Sequence, residues 1–136
     1  MNNKLNEQLD FIQKLTSEIQ NTRSGLSNIL TPELVFLPTG YSNKIATEKH
    51  SKITATQLRK FYDMLKTAEM EEKFENKRNA IYRILPQMAY AAGRNNLDRN
   101  FYKLMCACIN QEKLNNDNDI KVLIDFYESI IAYSKK

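Results

Sequence analysis

Tryptophan is absent from this chain, histidine occurs once, and glycine and proline occur three times each in 136 residues. So little turn chemistry argues against an all-β architecture, which needs Gly- and Pro-rich turns at short intervals. The lone His50 has neither a ligand set nor a triad partner around it, and it reads as an ordinary surface residue in a polar segment. Cys106 and Cys108 stand one residue apart, whereas a structural zinc site takes four ligands from paired motifs, so both read as free thiols and no metal is expected. No P-loop, G-x-G-x-x-G, H-E-x-x-H or EF-hand spacing is present. Without a converging set of acid, base and nucleophile, no cofactor and no catalytic residue is expected, and binding or assembly is the better class. No run approaches 18 apolar residues, which excludes a spanning helix. The opening "MNNKLNEQLDFIQKL" has no apolar h-region or cleavage site, and the reading is a cytoplasmic chain with no membrane partner.

What is present is helix-forming sequence with 42% hydrophobic and 26% charged residues. That balance predicts one all-α domain over residues 1–136, a bundle of about five helices. Leu5, Leu9, Ile12, Leu15 and Ile19 recur at helical spacing and predict a first helix over about 3–20. From 21 to 52 the periodicity fades, and Gly25, Pro32, Pro38 and Gly40 interrupt it. This long connection either docks its "LVFL" stretch on the body or orders against a partner. "TPEL" can open a short helical turn, with Thr31 as cap and Pro32 at the first position.

Residues 53–136 hold the remaining helices. Thr54 and Gln57 fit a capping box at the start of "ITATQLRKFYDMLK", followed by a buried stripe of Leu58, Phe61, Tyr62, Leu65 and Ala68. Apolar residues at 81, 84, 85, 88, 89 and 92 form the next series, with Pro86 expected to kink it. Between these two stripes the phase shifts by roughly half a turn. Either the chain breaks near "EMEEKFE", or one long helix extends and exchanges its second half with another copy. The cluster Glu69, Glu71, Glu72 and Glu75 in that stretch reads as a solvated face. Leu97, Phe101, Leu104, Met105 and Cys108 mark a fourth helix, which places Cys108 in the core and turns Cys106 elsewhere. The last helix, about 119–135, is apolar around most of its circumference except for Lys121, Asp125 and Glu128, so it is either central or shared with a neighbour.

The charge is uneven. The net +4 arises from 20 basic and 16 acidic side chains, and residues 53–94 alone carry eight basic against five acidic. Arg59, Arg78, Arg83 and Arg94 fall in that section. Arginine offers a planar fork for phosphate. On the predicted third helix Arg83, Gln87, Tyr90 and Arg94 oppose the apolar stripe, combining cationic donors with an aromatic face suited to sugar-phosphate and base contacts. The alternatives are a solvated face, an Arg59–Asp63 pair on one helix, and an Arg94–Glu128 pair in the core. Gly93, directly behind Ala92, reads as a left-handed cap ending this helix.

Three stretches, "ITATQLRKFYDMLK", "MAYAAGRNN" and "DFYESIIAYSKK", occur in that order and resemble the small subunit of the type III-A CRISPR effector, the Csm complex, over about residues 53–135. The resemblance implies an all-helical subunit with no active site. It would stack in copies along guide RNA and single-stranded target RNA, beside a repeat backbone subunit, in antiviral defence. It would also bind RNA through basic residues without reading sequence. By motif position it points to Arg59 and Arg94; Lys52, Lys60, Arg78 and Arg83 follow from charge and placement. A purely structural adaptor or self-associating spacer is the other reading.

Overall fold

Asp10 opens the first helix, α1 (Phe11–Asn21), by accepting from the Gln13 amide at 2.8 Å while the Gln13 side chain accepts from the Asp10 amide at 3.1 Å. This reciprocal cap satisfies two amides that the helix leaves without partners. The computed structural model describes residues 10–48 and 53–134, so Leu5, Leu9 and the start of the expected 3–20 helix lie outside it, as do His50 and Lys52. Ile12, Leu15 and Ile19 are buried, and α1 lays them against α8 (Arg99–Cys108).

Residues 22–48 of the expected long connection dock on the body. It forms three short helices, α2 (Leu26–Ile29), α3 (Pro32–Val35) and α4 (Tyr41–Ala46). Leu26, Leu30, Val35 and Ile45 are buried in the common core. Periodicity could not reveal this segment, because helices of one turn place only one or two side chains inward. Pro32 stands at the start of α3 as expected, although the Thr31 side chain makes no capping bond. Of "LVFL", only Val35 is buried; Leu34, Phe36 and Leu37 are exposed.

The chain breaks at residues 70–73, between α5 (Ala55–Glu69) and α6 (Phe74–Tyr82), which pack on each other as a hairpin. The half-turn phase shift therefore marks a turn within one molecule, and the extended, exchanged helix does not form. A second break falls at Arg83, before α7 (Ile84–Gly93). Pro86 thus sits in the first turn of α7, where its missing amide is not needed by the helix. The sequence pattern 81–92 is two helices rather than one kinked one.

The closing helix α9 (Asp117–Ser134) runs through the middle and packs against α2, α4 and α5. Its buried residues include Ile120, Leu123, Ile124, Phe126, Tyr127 and Ile130, so the nearly all-apolar circumference is explained by central placement within this chain. Tyr127 shows how such a helix accommodates a hydroxyl. Its Oη donates to the Leu58 carbonyl at 2.8 Å, and its ring meets Phe101 edge-on at 5.5 Å. Burial pushes its phenol pKa far above the ordinary 10.0. The described residues contain no strand.

Candidate nucleic-acid interface

Helices α5 and α7 lie side by side without closing on each other. The gap between them is a cleft of about 600 Å³. From α5 it is lined by Thr56, Gln57 and Lys60, and from α7 and the following turn by Gln87, Tyr90 and Asn96. A second hollow of about 380 Å³ shares Gln87 and continues between α5 and α6–α7, with Arg83 on one wall and Asp63 and Glu71 on the other. The line of hollows is therefore cationic at the Lys60 end and of mixed charge at the Arg83 end.

Arg83, Tyr90 and Arg94 are all exposed, and Tyr90 is 67% accessible despite being an aromatic residue. The Arg94 Nη1 donates to Tyr90 Oη at 3.0 Å, and its guanidinium carbon lies over the ring at 5.5 Å from the centroid, which leaves the opposite face for other contacts. Lys60 is exposed, with its ammonium 5.7 Å from the Phe61 ring. Of the expected stripe, Gln87 and Tyr90 line the cleft with Lys60 from the neighbouring helix, Arg83 borders the second hollow, and Arg94 reaches back to Tyr90 from beyond the helix end.

The other basic candidates fall elsewhere. Arg59 is exposed but about 100° around α5 from Lys60, outside the cleft wall. Among the described residues it makes no ion pair with Asp63. Arg78 is half-buried. Its Nη1 donates to the Leu114 carbonyl at 3.2 Å, and its guanidinium stacks 4.9 Å from Phe74 and 6.0 Å from Tyr82. It braces α6 against the segment before α9. Lys52 lies outside the described residues.

Three local expectations are corrected. Gly93 has no positive φ; the left-handed residue is Asn95, at φ 63°. The Asn96 amide reaches the Ala91 carbonyl at 2.8 Å and the Asn95 amide reaches Ala92 at 3.2 Å, the two bonds of a Schellman end. Asparagine tolerates this conformation, so Gly93 is the last helical residue, Arg94 is the cap and Asn95 makes the left-handed turn. Glu128 is exposed and accepts from Tyr62 Oη at 2.9 Å, while Arg94 turns to Tyr90, so no Arg94–Glu128 pair exists. Burial, and then this carboxylate, raise the Tyr62 pKa. The capping box at Thr54 forms only by half: Thr54 Oγ1 accepts from the Gln57 amide at 3.2 Å, but the Gln57 side chain does not reach back. Instead it joins the cleft wall.

Thr56, Gln57, Asn95 and Asn96 are the polar lining residues that sequence reading missed. For Gln57 the pattern pointed to a cap. For the asparagines the only signal was their position directly after a helix-ending stretch.

The described residues hold no group of His, Cys, Asp and Glu placed to bind a metal ion, and no helix long and apolar enough to cross a membrane. The described residues thus define an all-α protein with a cleft bordered by Lys60 and an adjoining hollow bordered by Arg83. The family described as Csm2 Type III-A matches residues 33–136, and the chain belongs to it. It is thereby a small subunit of a type III-A CRISPR Csm complex, associated with other subunits of that complex. The match begins twenty residues ahead of the resemblance seen in the motifs and takes in α4 and most of α3. No curated protein matches the chain. No solved structure does so either.

Proposed function

We propose that this chain is a non-catalytic, cytoplasmic subunit that binds guide RNA and single-stranded target RNA through basic residues, without reading sequence, and stacks in copies along the complex. The observation that carries the reading is the exposed surface of Lys60 and Tyr90, which line the cleft, with Arg83 on the adjoining hollow and Arg94 bonded to Tyr90. Such a surface offers charge for phosphates and an aromatic face for bases. Arg59 extends the positive surface toward the flank, Lys52 is a further candidate by charge alone, and Arg78 serves the fold. The exposed Leu34, Phe36 and Leu37 suit the contact with a neighbouring subunit, being a cluster of apolar side chains on one short connection.

The test is binding of a single-stranded oligoribonucleotide to the full chain over a range of salt. Log affinity should fall linearly with log salt, and losing two phosphate contacts should reduce the slope by about 1.4. Lys60→Ala with Arg94→Ala is expected to produce that reduction, with the fold intact. The same slope and affinity in the folded double variant, alone and in the assembled complex, would refute this site.

A further inference from the structure

We infer that the cleft between α5 and α7 is a seat for one unpaired nucleobase of single-stranded RNA, stacked on Tyr90; this deepens the reading above and rests on it. Its volume of about 600 Å³ lies within the roughly 300–1,000 Å³ usual for small-ligand sites. Tyr90 brings a largely uncovered ring to its wall, and Arg94 holds the hydroxyl end of that ring at 3.0 Å, fixing the ring's position. A fixed aromatic face accepts any base, because every base has a π-face.

A second, independent observation comes from the opposite wall. The Gln57 Oε1 is enclosed and has no hydrogen-bond partner among the described residues. A carbonyl without a donor is costly, and a turn of the Gln57 side chain toward the cleft it lines lets an N–H donor of a ligand remove that cost. Each of the four RNA bases carries such a donor on its edge, an amino group on adenine, cytosine and guanine or the imino group of uracil. The seat is therefore tolerant of sequence. Polar side chains of Gln87, Asn95 and Asn96 complete the wall. Lys60 on the cleft wall and Arg94, bonded to the Tyr90 hydroxyl, are the cations within reach of phosphates flanking an inserted base.

The full-length protein is titrated with a short mixed-sequence oligoribonucleotide and with an abasic ribose-phosphate strand of equal length, between about 50 and 200 mM salt. The base-bearing strand should bind about tenfold or more tightly, with an unchanged salt slope. Tyr90→Ala should abolish the difference between the strands, Tyr90→Phe should keep it, and Gln57→Leu should reduce it. Tyr90 is exposed, so folding of its variants is checked directly by circular dichroism. Equal binding of the two strands, or a difference that survives Tyr90→Ala, would overturn the base seat while leaving salt-dependent RNA binding standing. Absence of salt-dependent binding to either strand would overturn both readings.

Discussion

The carboxylate of Asp119 stands where a side chain on Gly25 would begin: a Cβ on Gly25 would meet Asp119 Oδ2 at 2.6 Å. The carboxylate cannot retreat cheaply. Asp119 is only 1% exposed, and its two oxygens accept from the Ser27 and Asn115 amides at 2.9 Å each. Beside it, Lys113, also 1% exposed, donates from Nζ to the Thr22 carbonyl at 2.5 Å, while its own carbonyl accepts from the Leu26 amide at 2.9 Å. These bonds stitch residues 22–27 to the approach to α9. Gly25→Ala should therefore destabilise the chain by about 1–3 kcal/mol, the cost of displacing a bonded buried acceptor. Denaturant unfolding checks this, and unchanged stability would show that the carboxylate yields.

At Gly93 the expected sign is the reverse. An added Cβ meets nothing within 4 Å, and the backbone is helical rather than left-handed. Gly93→Ala should stabilise by about 0.5 kcal/mol, through helix propensity and a less disordered unfolded chain. Asn95→Ala, at φ 63°, should destabilise by about 1 kcal/mol. Thermal unfolding of the two variants should move the midpoint in opposite directions.

The arginines should separate by stability. Arg78→Ala removes the bond to Leu114 and the stacking on Phe74, and is expected to cost about 1–2 kcal/mol. Arg94→Ala removes only exposed contacts and should stay within about 0.5 kcal/mol. Urea unfolding of the pair provides the comparison.

The two thiols should differ in reactivity. Cys108 is buried, and burial pushes its thiol from 9.0 up to about 12, against an opposing pull from Lys113. Cys106 is half-exposed. An alkylating reagent at neutral pH should modify Cys106 in the native protein and Cys108 only on unfolding, since the thiolate is the nucleophile. Equal labelling of both thiols in the folded protein would contradict the buried placement.

The same burial sets an alkaline limit. Cys108 and Tyr127 both titrate higher in the folded chain than their ordinary values of 9.0 and 10.0. Their contribution is complete below those values, and unfolding releases protons above them. Stability should therefore fall as pH rises beyond about 9. A denaturation midpoint constant from pH 8 to about 11 would contradict it.

Sequence alone determined the helical class and the buried stripes of the long elements. It also determined where charge concentrates, because 3.6-residue periodicity records which face of a helix meets a core regardless of what that core is. Ile12, Leu15 and Ile19, the α5 stripe and the apolar girdle of α9 were all legible in this way. Tertiary structure decided what periodicity cannot encode. It placed α9 at the centre of its own chain rather than in a neighbour, and it folded residues 22–48 onto that helix through one or two side chains per turn. It also drew the Gln57 side chain away from its cap and into a cleft facing Tyr90. Arg78 and Arg94 carry the same charge and stand sixteen residues apart. Only the packing around each sends one to a backbone carbonyl and leaves the other on the open surface, because a guanidinium takes whatever acceptors the assembled chain brings within its reach.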